Sequence, residues 1–377
     1  MSGNGRGAGF QPAAGEALPQ EPEDLFLFRR IREEETEQAA EIETICFPPN
    51  EACKREHMIS RIAAARDFFW VAEDRHKGKI AGFINGIATN EAAFRDEFFT
   101  DASIHDPAGK NIMILGLDVL PAYRGKGLAR ELVRRYRDRF LDRRLVLTCL
   151  ERLVPMYEKF GFRNLGLSAS LWGGEHWHEM DMNTPGILKA AEEYIRQLFA
   201  GNADGHGWDH SMRVYRNAMV IAESEPAADR MIVALAALLH DADDYKLFET
   251  ENNANARSLL AGLGIDPVAR DRILAAVNAV SFSKNRGARP DTLEGMIVQD
   301  ADRLDAIGAI GVARTFAFGG GHGRSLEDSV DHFYEKLLLL KDLMNTRKGK
   351  EMAESRHAFL ETFLCEWNAE MNGLTGK

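Results

Sequence analysis

Two textures divide this chain. Up to about residue 183, short apolar runs with strand-like patterning alternate with helical stretches. From Ile187 onward, apolar residues recur at helical spacing and alternating β-branched runs are few. In the first part, Leu25–Ile31 alternates as a strand and Glu33–Cys46 reads as a helix. Phe69–Ala72 and Lys79–Ile87 read as paired strands with a turn near His76–Gly78. Ile112–Val119 is apolar and bounded by Pro121, a further strand, and Leu145–Leu150 is another. Between these two, Leu128, Leu132, Tyr136 and Phe140 recur every four residues and form the buried stripe of a helix. In the second part, helices are expected at 189–200, 211–223, 230–239, 253–263, 272–280, 309–317, 332–344 and 352–371. The expectation is a two-domain protein. An α/β domain with a mixed sheet flanked by helices spans 24–183, and an all-α domain spans 187–377. Asn183-Thr184-Pro185-Gly186 ends the strand pattern. Residues 1–23, rich in Gly, Pro and Ala, read as a disordered leader.

Composition adds limits. The 377 residues favour two domains, each long enough for its own core. A formal charge of −11 argues against a general nucleic-acid binder. Cys46, Cys53, Cys149 and Cys365 show no C-x-x-C spacing, as expected of reduced thiols in a cytosol. No apolar stretch follows a basic start, and no run approaches the ~18 apolar residues of a membrane span. The expected setting is cytoplasmic, with no membrane and no nucleic-acid partner.

The first chemical signal is Arg124-Gly125-Lys126-Gly127-Leu128-Ala129, a turn that opens the helix after the Ile112–Val119 strand. Glycines there let backbone N–H groups close on an anion, and the helix N-terminus favours negative charge. A diphosphate suits the turn, with Arg124 and Lys126 adding charge. Val154-Pro155-Met156-Tyr157-Glu158-Lys159-Phe160-Gly161-Phe162 follows the next strand. The whole arrangement resembles the GNAT acetyltransferases, whose R/Q-x-x-G-x-G/A signature is matched by Arg124, Gly127 and Ala129. Within that superfamily, the stretch from Thr148 to Phe162 and the Cys46–Cys53 segment look like the serotonin (arylalkylamine) N-acetyltransferases and their bacterial relatives. The resemblance implies acetyl-CoA held by Leu117, Val119, Arg124, Gly125, Lys126, Gly127, Leu128 and Ala129. It implies transfer of acetyl to a small amine, with backbone N–H groups near Leu117 and Val119 polarising the thioester carbonyl and Tyr157 as acid to the leaving sulfur.

The chain departs from that family in one respect. Met113 and Leu115 stand where the animal serotonin enzymes carry a histidine pair, so the base is unassigned and serotonin is not assumed as substrate. His176 and His178, alternating on an expected final strand, are substitutes. Glu91–Asp106 mixes acids with Phe94, Phe98 and Phe99. It reads either as a solvated helix with its phenylalanines inward or as a substrate-covering loop using Glu97 and Asp101. The arginine-rich stretch Arg130–Arg144, interleaved with Glu131, Asp138 and Asp142, reads as a solvated helix face that aids CoA phosphate binding.

In the second half, the apolar run Met231–Leu239 leads into His240-Asp241-Ala242-Asp243-Asp244-Tyr245-Lys246. Asp209-His210 lies upstream and Asp300-Ala301-Asp302-Arg303-Leu304-Asp305 downstream. The order His … His-Asp … Asp resembles the HD-domain metal-dependent phosphohydrolases, and HGWDH, HDADDYK and DADRLDAIGAIG look like a bacterial group of uncharacterised HD hydrolases. The resemblance implies His210, His240, Asp241 and Asp302 as metal ligands, with Asp300 competing for the last place. Two imidazoles and two carboxylates suit Mn²⁺, Fe²⁺, Ni²⁺, Zn²⁺ or Mg²⁺. Such an ion lowers the pKa of water and neutralises phosphate charge. Asp244, four residues after His240 on a continuing helix, would orient water or protonate the leaving oxygen. Lys246, Arg303 and Lys336 are candidate phosphate contacts, and His206 a loop or supporting histidine. The expectation is a bifunctional enzyme acting on an amine and on a phosphoester, such as a nucleotide. The alternative is that one half, sooner the acetyltransferase half, is a ligand-binding or regulatory module without turnover.

Overall fold

A computed structural model of the chain describes residues 22–200, 207–245, 247–280 and 288–373. Most of the expected leader, His206 and Lys246 lie outside the described residues.

The first domain is built on a seven-stranded sheet of order β1-β2-β3-β4-β5-β7-β6. The strands are β1 (Phe26–Arg30), β2 (Phe69–Asp74), β3 (Lys79–Thr89), β4 (Asn111–Val119), β5 (Arg144–Cys149), β6 (Arg163–Leu167) and β7 (His178–Met182). Only the central β4–β5 pair is parallel. Helices α1 (Thr36–Cys46) and α2 (Arg55–Ala65) precede β2, α3 (Leu128–Arg139) joins β4 to β5, and the short α4 (Val154–Glu158) precedes β6. The sequence reading had missed α2 and β6. Leu128, Leu132 and Tyr136 of α3 are buried against the sheet, as their spacing predicts.

One irregularity shapes the domain. β4 and β5 pair only from Asn111–Met113 with Arg144–Val146 and then part. Opposite the opening, the register against β3 shifts between Asn85 and Gly86. β4 is therefore bent where it leaves β5, and a β-bulge is an ordinary way to bend a strand. The gap between the strands is the floor of the cavity described below.

The second domain is helical: α5 (Thr184–Leu198), α6 (Trp208–Glu223), α7 (Arg230–Leu239), α8 (Ala254–Gly262), α9 (Pro267–Val280), α10 (Leu293–Asp305), α11 (Gly308–Gly321), α12 (Leu326–Glu335) and α13 (Arg347–Met371). Helix α10, which carries the downstream aspartates, was not expected from periodicity. Every residue from Met231 to Leu239 is buried, so α7 is apolar all round because α5, α6, α9 and α10 surround it.

The arginine-rich helix corrects the sequence reading. Arg130 and Arg139 are exposed as expected, but Arg134 and Arg137 are only 14% and 13% exposed and do not belong to a solvated face. Arg134 donates to the Ala228 carbonyl at 2.8 Å, Arg137 to Asp229 at 2.6 Å, and Arg230 to the Asp138 carbonyl at 2.9 Å. Helix α3 is thus the first domain's contact with the start of α7.

Candidate functional sites

The gap between β4 and β5 opens into a cavity of about 690 Å³. Ile114–Leu117 line one side and Leu147–Leu150 the other, both with sheet edges that lack a neighbour there. Of the residues expected to hold acetyl-CoA, Leu117, Val119, Arg124, Gly125, Gly127, Leu128 and Ala129 line it. Lys126 does not, and its ammonium lies 5.6 Å from the Tyr123 ring centre. Gly125 and Gly127 have φ of +75° and +76°, a conformation that favours glycine. Gly127 immediately precedes α3, so the first N–H groups of that helix border the cavity. Arg124 donates through Nε to the Val119 carbonyl at 2.9 Å, which fixes the turn to the end of β4. These features fit an acyl-CoA: an edge-lined slot for an amide-bearing arm and an N–H-rich turn for a diphosphate.

Tyr157 lines the same cavity and is 8% exposed. Burial, with Cys149 and Asp118 nearby, raises its phenol above the ordinary tyrosine value, so the group stays protonated. Two other expectations change. His176 is exposed and precedes β7, while His178 bonds Asn164 at 3.2 Å, and neither lines the cavity. Trp177 between them does. In the acid–aromatic stretch, Glu97 pairs with Arg95 at 3.2 Å and Asp101 accepts from Ser103. Phe99, not these carboxylates, reaches the cavity, stacked on Trp172 with ring centres 4.7 Å apart.

Sequence reading missed the carboxylates that are present. Glu43 of α1 and Glu51 line the cavity, and Asp118 of β4 is fully buried beside Glu43. An acid inside the otherwise apolar Ile112–Val119 run was the available signal.

The second site forms where α6, the end of α7 and α10 meet. His210 Nε2 and His240 Nε2 lie 3.1 Å apart. Asp241 Oδ2 is 3.5 Å and 3.3 Å from them, and Asp302 Oδ1 is 3.4 Å and 3.9 Å from them. The other ring nitrogens are committed. His210 Nδ1 meets Asp305 at 2.7 Å and His240 Nδ1 meets the Ala237 carbonyl at 2.9 Å. With each Nδ1–H donated away, both Nε2 lone pairs turn toward the same carboxylates, a donor set that a divalent cation satisfies. Burial alone would lower His240, yet Asp241 and Asp302 raise it to about 9. That is the response of a site which demands positive charge.

Three neighbouring acids separate by role. Asp300 accepts from Asn345 N, Asn345 Nδ2, Thr346 N and Thr346 Oγ1 at 2.7–2.9 Å, so it secures the segment before α13 and is not among the converging groups. Asp305 braces His210 and is itself held by Arg213 and Arg314 at 2.7 and 2.6 Å. Asp243 accepts from Asn255 N and Ala256 N and starts α8. The helix expected to continue through Asp244 ends at Leu239, so helical spacing does not align Asp244 with His240. Arg303 turns from the site to the Leu343 carbonyl and is 5% exposed, which removes it as a phosphate contact. Lys336 is half-buried after α12.

Comparison with known proteins gives two family matches: the acetyltransferase (GNAT) family over residues 30–162 and the HD domain over 207–307. The uncharacterised protein YpgQ of Bacillus subtilis is 39% identical over 199 residues, 50% of this chain and 96% of YpgQ. Serotonin N-acetyltransferase of Mesocricetus auratus is 32% identical over 108 residues, 28% of this chain and 51% of that enzyme. Among solved structures, YpgQ in complex with ADP is 37% identical with a TM-score of 0.43, covering 49% of this chain and all of the other.

Proposed function

This chain belongs to the GNAT acetyltransferase family through its first half and to the HD-domain family of YpgQ through its second, and from that premise we propose two activities. The first domain transfers acetyl from acetyl-CoA to a small amine, and the second hydrolyses a phosphoester, with nucleotides as the first class to try. The observation that carries the reading is the clustering of His210 of α6, His240 just past α7 and Asp302 of α10, with Asp241 Oδ2 within 3.5 Å of both imidazoles. A divalent ion held by these four residues would neutralise phosphate charge and acidify water. Asp305 holds the His210 tautomer, and Asp244, half-buried beyond the ligand turn, is the candidate to orient water or protonate the leaving oxygen.

In the first domain, the 125–129 turn and Arg124 bind the diphosphate, and Leu117 and Val119 edge the thioester slot. Tyr157 gives its proton to the departing sulfur. The cavity walls of Phe99, Trp172 and Trp177 favour an amine with an apolar body.

The test is phosphate and pyrophosphate release from a nucleotide panel by the full-length protein with Mn²⁺, with EDTA, and with Asp241→Ala. Release that needs the metal and disappears in the variant is the expected result. Metal binding without release from any nucleotide would overturn the nucleotide assignment. For the first domain, acetyl-CoA is offered with tryptamine, phenethylamine and putrescine. Acetyl-CoA bound without transfer would make that half a regulatory module.

A further inference from the structure

Three polar side-chain atoms meet around Gly116. A Cβ placed on Gly116 would lie 2.7 Å from Asn85 Nδ2, 3.0 Å from Asp118 Oδ2 and 3.5 Å from Glu43 Oε2. Asn85 Nδ2, both Asp118 oxygens and Glu43 Oε2 find no hydrogen-bond partner among the described residues. Glu43 is 2% exposed, and Asp118 and Asn85 are fully buried. Glu43 and Gly116 both line the cavity, whereas Asp118 stands behind them. We propose that Glu43, backed by Asp118 across the bare face of Gly116, takes the proton from the incoming substrate, and that the substrate is therefore an amine which arrives as an ammonium ion. This rests on the acetyl-transfer reading of the first domain.

The charge balance favours that role. Two neighbouring buried carboxyls with three of their four oxygens lacking a donor do not both stay ionised. Burial holds both above the usual carboxylate range; the Glu43 carboxyl raises Asp118 further, while the Cys53 N–H, the nearby Arg61 and Asp118 pull Glu43 back down. The balancing cation is Arg61 of α2, which donates to Asn85 Oδ1 and to the Phe99 carbonyl at 3.0 Å each. Arg61 and the pair sum to zero when the pair holds one proton. The other titratable groups facing the pair are Cys46 and Cys53, whose thiols burial raises to about 11, with Arg124 beside Cys46 and Tyr157 facing Asp118. The thiols and the phenol stay neutral near pH 7, so the pair is the acceptor. Glu43 Oε1 is already fixed by the Cys53 N–H at 2.9 Å, which leaves Oε2, buried on the Gly116 side, as its oxygen without a donor.

The protons then balance. Glu43 takes one from the ammonium. The freed nitrogen lone pair forms the N–C bond at the thioester carbonyl. The C–S bond breaks with its electrons on sulfur, Tyr157 protonates that sulfur, and the second nitrogen proton restores the phenol. The pair releases its proton to solvent, giving amide, thiol and one proton overall.

The test uses the full-length protein, acetyl-CoA binding by calorimetry, transfer to tryptamine across pH, and infrared spectra of the protein alone. Glu43→Gln is expected to lower kcat by about 10²–10⁴-fold, with acetyl-CoA affinity unchanged within roughly threefold. Asp118→Asn presents an N–H to Glu43, favours its ionised form, and shifts the acid limb of kcat/KM to lower pH. A merely structural Asp118 would leave that limb in place. The wild type should also show a protonated-carboxyl C=O band near neutral pH that Asp118→Asn lacks, a readout independent of turnover. Wild-type kcat in Glu43→Gln, an unmoved acid limb, or no band overturns the assignment. A wild type that shows the band and binds acetyl-CoA but acetylates no amine overturns the acetyl-transfer reading, and the base role with it.

Discussion

Arg137 donates to Asp229 across the domain boundary at 2.6 Å, with both side chains nearly buried. The same Asp229 caps α7 through Met231 N and Ile232 N. Arg137 lies on α3, the helix whose first residues border the cavity between β4 and β5, and His240 and Asp241 follow the far end of α7. Removing one partner leaves the other charge buried. Asp229→Ala should therefore destabilise the protein by about 3–5 kcal/mol, most visibly as a split of the thermal transition into two. Burial opposes ionisation of Asp229, but Arg137, Arg272 and Arg134 hold it below the usual range. A depressed carboxyl stabilises above its unfolded value and loses that contribution as pH falls, so the gap between wild type and Asp229→Ala should narrow below about pH 4.

Asp305 and Asp300 are both acids on α10, yet their loss should differ. Asp305→Ala frees the His210 ring, and metal affinity is expected to fall about 10–100-fold. Asp300→Ala strips four donors of their acceptor and should lower the melting temperature while leaving affinity within a few-fold. Metal titration of both variants, followed by calorimetry, separates the effects. Equal affinity loss in the two would contradict the division.

Gly127→Ala forces a side chain into φ of +76° at the start of α3. The strain is about 1–2 kcal/mol, and acetyl-CoA affinity should drop with it. Gly78→Ala serves as the control: its φ of +62° carries similar strain in the β2–β3 turn, away from the cavity. Both should lose stability, and only Gly127→Ala should lose binding.

Asp118 and Glu43 carry raised values, so the sign reverses. Burying ionised carboxyls lowers stability increasingly as pH rises above the unfolded value of about 4. Asp118→Asn should raise the unfolding midpoint at pH 8, and the gain should shrink toward pH 4. A loss of stability at pH 8 would show that Asp118 is structurally required in its ionised form.

Much of the architecture was legible because it is local. The α7 run, 230–239, was readable from apolar residues alone, and the Gly125–Gly127 turn from two residues that tolerate positive φ. Helix α2, with the mixed sequence Arg55–Ala65, and α10, where acids interrupt the apolar rhythm, gave weaker patterns and were missed. The continuation of α7 through Asp244 was over-read because helical spacing says nothing about where a tertiary contact, here Asp243 capping α8, pulls the chain out.

By itself the sequence determined the two-part organisation, the types of most elements, the phosphate-suited turn and the order of histidines and aspartates, since periodicity, glycine freedom and motif order act over a few residues. Only the tertiary structure decided which acid does what. On α10, Asp300, Asp302 and Asp305 leave the helix in different directions, and three different neighbours make them an anchor, a member of the His210–His240 cluster and a brace. Glu43 and Asp118 lie far apart in sequence and became a pair only when α1 packed against β4 at a residue without a side chain. Arg134 and Arg137 of α3 look solvated in isolation, and residues of the second domain cover them. Burial and facing direction depend on what comes from elsewhere in the chain, so no local pattern carries them.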